Sequence, residues 1–133
     1  VKAFTPIAPE KWHWARSAHY SQAARVGDLI LTCGVAPFDE HGHVVGVGDF
    51  EAQCRTAVAN VAALLDAAGS AFDRIVRQHV YLKRRADLDL WRMLRAELYS
   101  RPYPVSILVV ITEHAHPDML IEISCEALVA ERA

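Results

Sequence analysis

The strongest periodicity in the chain lies between Asp49 and Gly69. There Phe50, Cys54, Ala57, Val58, Val61, Leu64, Leu65 and Ala68 recur at i, i+3, i+4 and i+7, which predicts an amphipathic helix with one buried stripe. Asp49 is placed to cap it, Glu51 suits its first turn and Gly69 suits its end. A second helix is predicted from Asp87 as cap, with Leu90, Trp91, Leu94 and Leu98 as its stripe and Pro102 and Pro104 closing it off.

Period-two patterns supply the strands. Tyr20–Val26 and Leu29–Cys33 flank Gly27-Asp28, a hairpin signal. The first few residues suit an edge strand, and Phe38–Val47 suits a turn with a short strand. Ile75–Lys83 follows the first helix, with Val76, Val80 and Leu82 on one face and Arg77, His79 and Tyr81 on the other. Val105–Ile111 and Met119–Val129 complete the set, the last with Ile121, Ile123, Cys125, Ala127 and Val129 sharing a face. The resulting order is β-β-(β)-α-β-α-β-β. Two helices can cover only one face of such a sheet. The other face carries Leu108, Val110, Leu120 and Leu128, or else Val105, Ile107 and Val109, depending on register. Either set leaves apolar area uncovered, which predicts association with other subunits.

Composition narrows the class. The 133 residues suit a single domain spanning 1–133, and 53% apolar with 23% charged residues is an ordinary globular balance. A formal net charge of −2 gives no electrostatic reason to expect a nucleic-acid partner. Cys33, Cys54 and Cys125 are odd in number and widely spaced, fitting small buried hydrophobes in a reducing compartment. No apolar run approaches the roughly 18 residues of a membrane helix, and the N-terminus lacks a signal-peptide core, so the cytoplasm is the expected location.

Several short blocks then carry a resemblance. HYSQA at His19–Ala23 is similar to the motif usually written PYSQA in the Rid (YjgF-type) reactive-intermediate deaminase family. CGVAP at Cys33–Pro37 is similar to that family's SGQIP, Gly48–Gly69 to its first helix, and IEISCEAL to its closing strand. The blocks run in order from about residue 18 to residue 129.

The resemblance implies a chorismate-mutase-like α+β fold, a mixed six-stranded sheet with two helices on one face, whose sheets form the inner barrel of a homotrimer with three sites in clefts between subunits. Active members hydrolyse imines and enamines, such as those released by pyridoxal-phosphate enzymes, to ketoacids and ammonia, without metal or organic cofactor. In such a site a guanidinium holds the substrate carboxylate. A carboxylate handles the attacking water, and backbone groups and a tyrosine shape the pocket. Carried over, Glu122 matches the water-handling carboxylate, Tyr20 the tyrosine, and Cys33-Gly34 the Ser-Gly pair. Val105 stands in the arginine's place, and Ile107 stands where Cys or Thr is common. Arg92 falls where helix two often carries an asparagine, and its guanidinium is a candidate replacement for the lost charge. The loop TEHAHP is about two residues longer than its family counterpart. The Val105/Ile107 wall suggests a less anionic, more apolar or bulkier substrate, an amino-substituted ring-cleavage product being one variant.

Other clusters have simpler explanations. His41/His43 and His114/His116 alternate as chelating residues can, yet no third ligand is evident. Lys83-Arg84-Arg85 is the one basic cluster, and it carries an RNA-binding reading because some relatives of the family have been described as ribonucleases; it precedes a helix cap, where a solvated turn is expected. Trp12 and Trp14 suit stacking on a flat ligand, and Trp91 suits the core. Two other functions stand beside imine hydrolysis: a non-catalytic small-ligand-binding or chaperone-like trimer, and an endoribonuclease.

Overall fold

The computed structural model describes residues 4–130; the first three positions of the expected edge strand lie outside the described residues. Six strands form one mixed sheet in the order β1-β2-β3-β6-β4-β5. They are β1 (Thr5–Ile7), β2 (Ala23–Val26), β3 (Leu29–Thr32), β4 (Ile75–Leu82), β5 (Val105–Val110) and β6 (Ile121–Leu128). All neighbours are antiparallel except β4 and β5. Helix α1 (Phe50–Ala67) packs on β6 and on helix α2 (Leu88–Leu98).

Local signals account for most boundaries. Asp49 caps α1, its carboxylate accepting from Ala52 N at 3.1 Å. Gly69, at φ 77°, ends it: Ser70 N donates to Leu65 O and Gly69 N to Asp66 O, the paired bonds that satisfy the last carbonyls. Gly27, at φ 62°, turns β2 into β3. The Phe38–Val47 segment reduces to a single bridge between Phe38 and Val44.

Three expectations change. Asp87 stands at the N-terminus of α2 but its side chain caps nothing. A preceding 3₁₀ turn holds its backbone in the helical region, and its carboxylate accepts instead from Arg84 at 2.7 and 2.9 Å. Val76 does not join Val80 and Leu82 in the core. A bulge in the β4–β6 ladder between Ile75 and Arg77 turns it outward, and Ile75 fills the core position. The segment from Tyr20 becomes a strand only at Ala23, leaving Tyr20 in an exposed bend.

The core lies between the sheet and the helices. Ile121, Ile123, Cys125 and Ala127 of β6, Val80 and Leu82 of β4, the α1 stripe and Trp91 are all buried in it. Among the described residues no element covers the opposite sheet face. Its register places Val105, Ile107 and Val109 beside Arg77, His79 and Tyr81, so the second of the two predicted apolar sets faces outward. Leu31 and Leu128 add exposed apolar area at the other side of that face.

One buried polar residue ties the helix layer to the entry of β6. Gln53 is fully buried; its Nε2 donates to Asp118 O (2.7 Å) and Gly46 O (3.3 Å), and its Oε1 accepts from Leu120 N (2.7 Å). Replacing Gln53 with alanine strands these backbone groups, each at a cost of about 1–3 kcal/mol. Urea unfolding of Gln53→Ala is expected to show a lowered midpoint with an unchanged slope; an unchanged midpoint would contradict this role.

Candidate functional site

The site is assembled from segments that are mostly not strand or helix. After β3 the chain leaves the ladder at Cys33 and bonds to β6 once more. Val35 N donates to Ile123 O at 2.7 Å, and Ile123 N donates back to Val35 O at 3.1 Å. This exchange sets the Gly34 backbone directly against the Glu122 side chain. A Cβ built on Gly34 would lie 2.5 Å from the Glu122 carboxyl carbon and 2.7 and 2.8 Å from its oxygens. Only glycine permits this approach with the carboxyl group where it is.

A cleft of about 190 Å³ opens over this pair. Gly34 and Glu122 line it with Tyr20, Gln22, Asn60, Met119 and His116, and Trp12, Trp14 and Phe38 supply an aromatic wall. The indoles of Trp12 and Trp14 stack with centroids 5.6 Å apart, and Phe38 meets Trp14 edge-on at 5.4 Å. Gly42 presses on the Trp14 ring from outside, where a Cβ would come within 3.0 Å. Asn60 on α1 holds the adjoining strand exit by donating to Ala36 O and Phe38 O at 3.0 and 2.9 Å.

Polar demand inside the cleft is unmet. Glu122 makes no hydrogen bond or ion pair among the described residues, and burial pushes its carboxyl pKa above the ordinary carboxylate value. The buried Nε1 of Trp14 and Nε2 of Gln22 likewise have no acceptor. Cys33 sits beside the cleft rather than in its lining. Its thiol donates to Gln22 Oε1 at 3.4 Å, and burial, with the Glu122 charge second, raises its pKa to about 12. Burial thus disfavours the thiolate, the nucleophilic form of the side chain.

The structure thus brings Tyr20, Gly34 and Glu122 together and leaves three other candidates apart. Val105 and Ile107 lie on the uncovered sheet face, two strands from β6, and Val105 pairs in register with Arg77 rather than with Tyr81, the partner of Glu122. At roughly 3.3 Å per residue and 4.8 Å per strand, Val105 stands about 16 Å from Glu122 within one chain. Arg92 lines a different cleft, between α2 and the start of β5. The remaining motifs behave locally. Asp39 accepts from His41 N and His43 N and so holds that turn. In the basic cluster Arg84 binds Asp87, and Lys83 donates to Pro117 O. Trp12, Trp14, Gln22, Asn60 and His116 join the cleft without a motif that marks them, although the paired tryptophans hinted at a flat surface.

Comparison with known proteins follows the same lines. A family model described as endoribonuclease L-PSP matches residues 13–129. The 3-aminoacrylate deaminase RutC of Acinetobacter baylyi is 30% identical over 110 residues, covering 83% of this chain and 86% of its own length. A RutC family protein of Pyrococcus abyssi is 29% identical over 126 residues, 95% of this chain and 91% of its own. Among solved structures, the Rid-family protein YyfA of Yersinia pestis superposes with a TM-score of 0.84 at 26% identity, covering 96% of this chain and all of its own.

The unpaired carboxylate has a thermodynamic consequence. Because folding raises the Glu122 pKa, ionising it costs stability; that cost is absent below the unfolded value, about 4.3, and present once pH exceeds the raised folded value. Glu122→Gln is therefore expected to raise the melting temperature at neutral pH, with the gain vanishing on acidification below about pH 4. A destabilised variant at neutral pH would show that the carboxylate has a stabilising partner.

Proposed function

The chain belongs to the Rid (YjgF-type) family, the family that the endoribonuclease L-PSP description denotes, and on that premise we propose that it hydrolyses a small imine or enamine at the Glu122 cleft. The observation that carries this reading is the Glu122 carboxyl group, raised in pKa and unpaired against the Gly34 backbone. As carboxylate it takes a proton from water as the oxygen adds to the C=N carbon. The resulting carbinolamine is protonated at nitrogen, its C–N bond breaks, and ammonia leaves as the carbonyl forms. For an enamine, protonation at carbon first gives the iminium form. A base with a raised pKa is matched to both directions of this transfer. Tyr20 and the Trp12–Trp14–Phe38 wall supply flat apolar surface for the body of the substrate.

The uncovered face bearing Val105, Ile107 and Val109 supports burial against further copies of the chain, a homotrimer with three such clefts. Val105 and Ile107 act on a substrate held by Glu122 only across such a boundary, since about 16 Å separates Val105 from Glu122 within the chain. Sedimentation analysis is expected to give a trimer that Ile107→Glu dissociates; a monomeric wild type would contradict this arrangement.

With no arginine at Val105, the favoured substrate is less dependent on a carboxylate anchor than 3-aminoacrylate, the substrate named for the Acinetobacter relative. The test generates 2-aminoacrylate, 3-aminoacrylate and imines of larger apolar amino acids in situ and follows carbonyl product and ammonia. Acceleration is expected with the apolar imines, falling about 10²–10⁴-fold in Glu122→Ala. Gly34→Ala is expected to lose activity as well, because the new methyl displaces the carboxyl group. Its stability should stay within about 1 kcal/mol of wild type, since the group that yields is the end of a flexible side chain. No acceleration of any of these compounds would overturn the hydrolase and favour a ligand-binding trimer. RNA degradation by the same protein would favour a nuclease.

A further inference from the structure

A second cleft, about 250 Å³, lies between α2 and the start of β5, and the charged groups that line it are two guanidiniums. Arg92 and Arg95 reach it from α2 and Ser106 from β5. Arg92 pairs only with Asp89, at 3.3 Å and with both side chains well exposed. Arg95 is half-buried and has no ion-pair partner among the described residues. Among the described residues no carboxylate lines the cleft. A guanidinium has only donors and keeps its charge at any physiological pH, so a half-buried one without an anion is a group short of its partner.

A buried relay turns the third donor outward. Tyr99 O–H donates to Gln78 Oε1 at 2.5 Å, which fixes the amide and aims its Nε2 at Ser106 Oγ, 3.3 Å away. Gln78 is only 1% exposed, so its amide is largely shielded from solvent. Ser106 Oγ is thus occupied as an acceptor, and its own hydrogen is free to donate into the cleft. The walls beside these donors are the rings of Tyr99, Tyr103 and Pro104.

We propose that this cleft binds the carboxylate of a small organic acid with a flat apolar body, the head held by Arg92, Arg95 and Ser106 and the body lying against Tyr103 and Pro104. Two guanidiniums and a hydroxyl meet a carboxylate's four lone-pair sites, and the rings supply apolar surface that a bare inorganic anion would not use. The Glu122 reading is not needed for this assignment, because binding is read without turnover.

Titration calorimetry of the full chain tests it with three probes. Benzoate has both head and body, benzamide keeps the shape without the charge, and inorganic phosphate has charge without the body. Benzoate is expected to bind saturably, once per chain, and about tenfold or more weaker in Arg95→Met and in Arg92→Met. Ser106→Ala should weaken it by a smaller factor, and Arg95→Lys should keep part of what Arg95→Met loses. Benzamide and phosphate are expected to bind more weakly than benzoate. Arg92 is exposed, so its variant keeps the test valid if Arg95→Met fails to fold. Absence of saturable benzoate binding, equal binding of benzamide or phosphate, or unchanged affinity in both arginine variants would overturn the assignment.

Discussion

The approach of the Gly34 backbone to the Glu122 carboxyl group is the constraint on which the cleft depends. It exists because the chain leaving β3 exchanges two backbone hydrogen bonds with Ile123 after the regular ladder has ended. The segments around it are irregular, and their backbone groups find partners in side-chain amides. Asn60 takes the carbonyls of Ala36 and Phe38. Gln53 takes those of Gly46 and Asp118 and the N–H of Leu120. Helix α1 therefore serves as more than a cover for the sheet, since it also fixes both loops that border Glu122. A buried backbone group without a partner is costly, so these contacts hold the cleft's shape as firmly as its packing does.

The two sheet faces divide the remaining work. One is closed by α1 and α2 over a continuous core. The other presents valine and isoleucine along β5 beside an ion pair, Arg77 with Glu126, that neutralises the middle of the face. Val105 adds uncharged, exposed apolar area to that face. Arg92 and Arg95, which line the second cleft, stand on α2, behind the edge of the sheet. In the two proposals, anion binding and water handling fall to separate elements, with the buried Gln78 amide beside one cleft and the part-buried Asn60 amide beside the other.

Much of this was legible in the sequence where residues act through repetition. The α1 stripe, its Asp49 and Gly69 ends, the Gly27 turn and the buried face of β6 all follow from spacing and from the backbone preferences of single residues. Isolated polar residues on apolar faces were not legible. Gln53, Asn60 and Gln78 look like solvent positions until the loops they serve are in place, because their partners are distant in the chain. Val76 read as core because a bulge breaks strict alternation without a glycine to announce it. Asp87 read as a cap because nothing in its immediate neighbours shows that Arg84 will claim its carboxylate. Glu122 stood out through likeness to a family, while Trp12, Trp14 and Arg95 entered their clefts only through tertiary placement.

Every chemical step assigned to this protein depends on Glu122 being unpaired and reluctant to ionise. A carbon-detected NMR titration of the Glu122 carboxyl group measures this directly, in the intact protein and without a substrate. A midpoint clearly above the ordinary glutamate value is expected, because burial penalises the charge and no described residue relieves it. A midpoint at or below that value would reveal a cation or donor at the carboxylate, and would contradict the account of the cleft as a site for water activation.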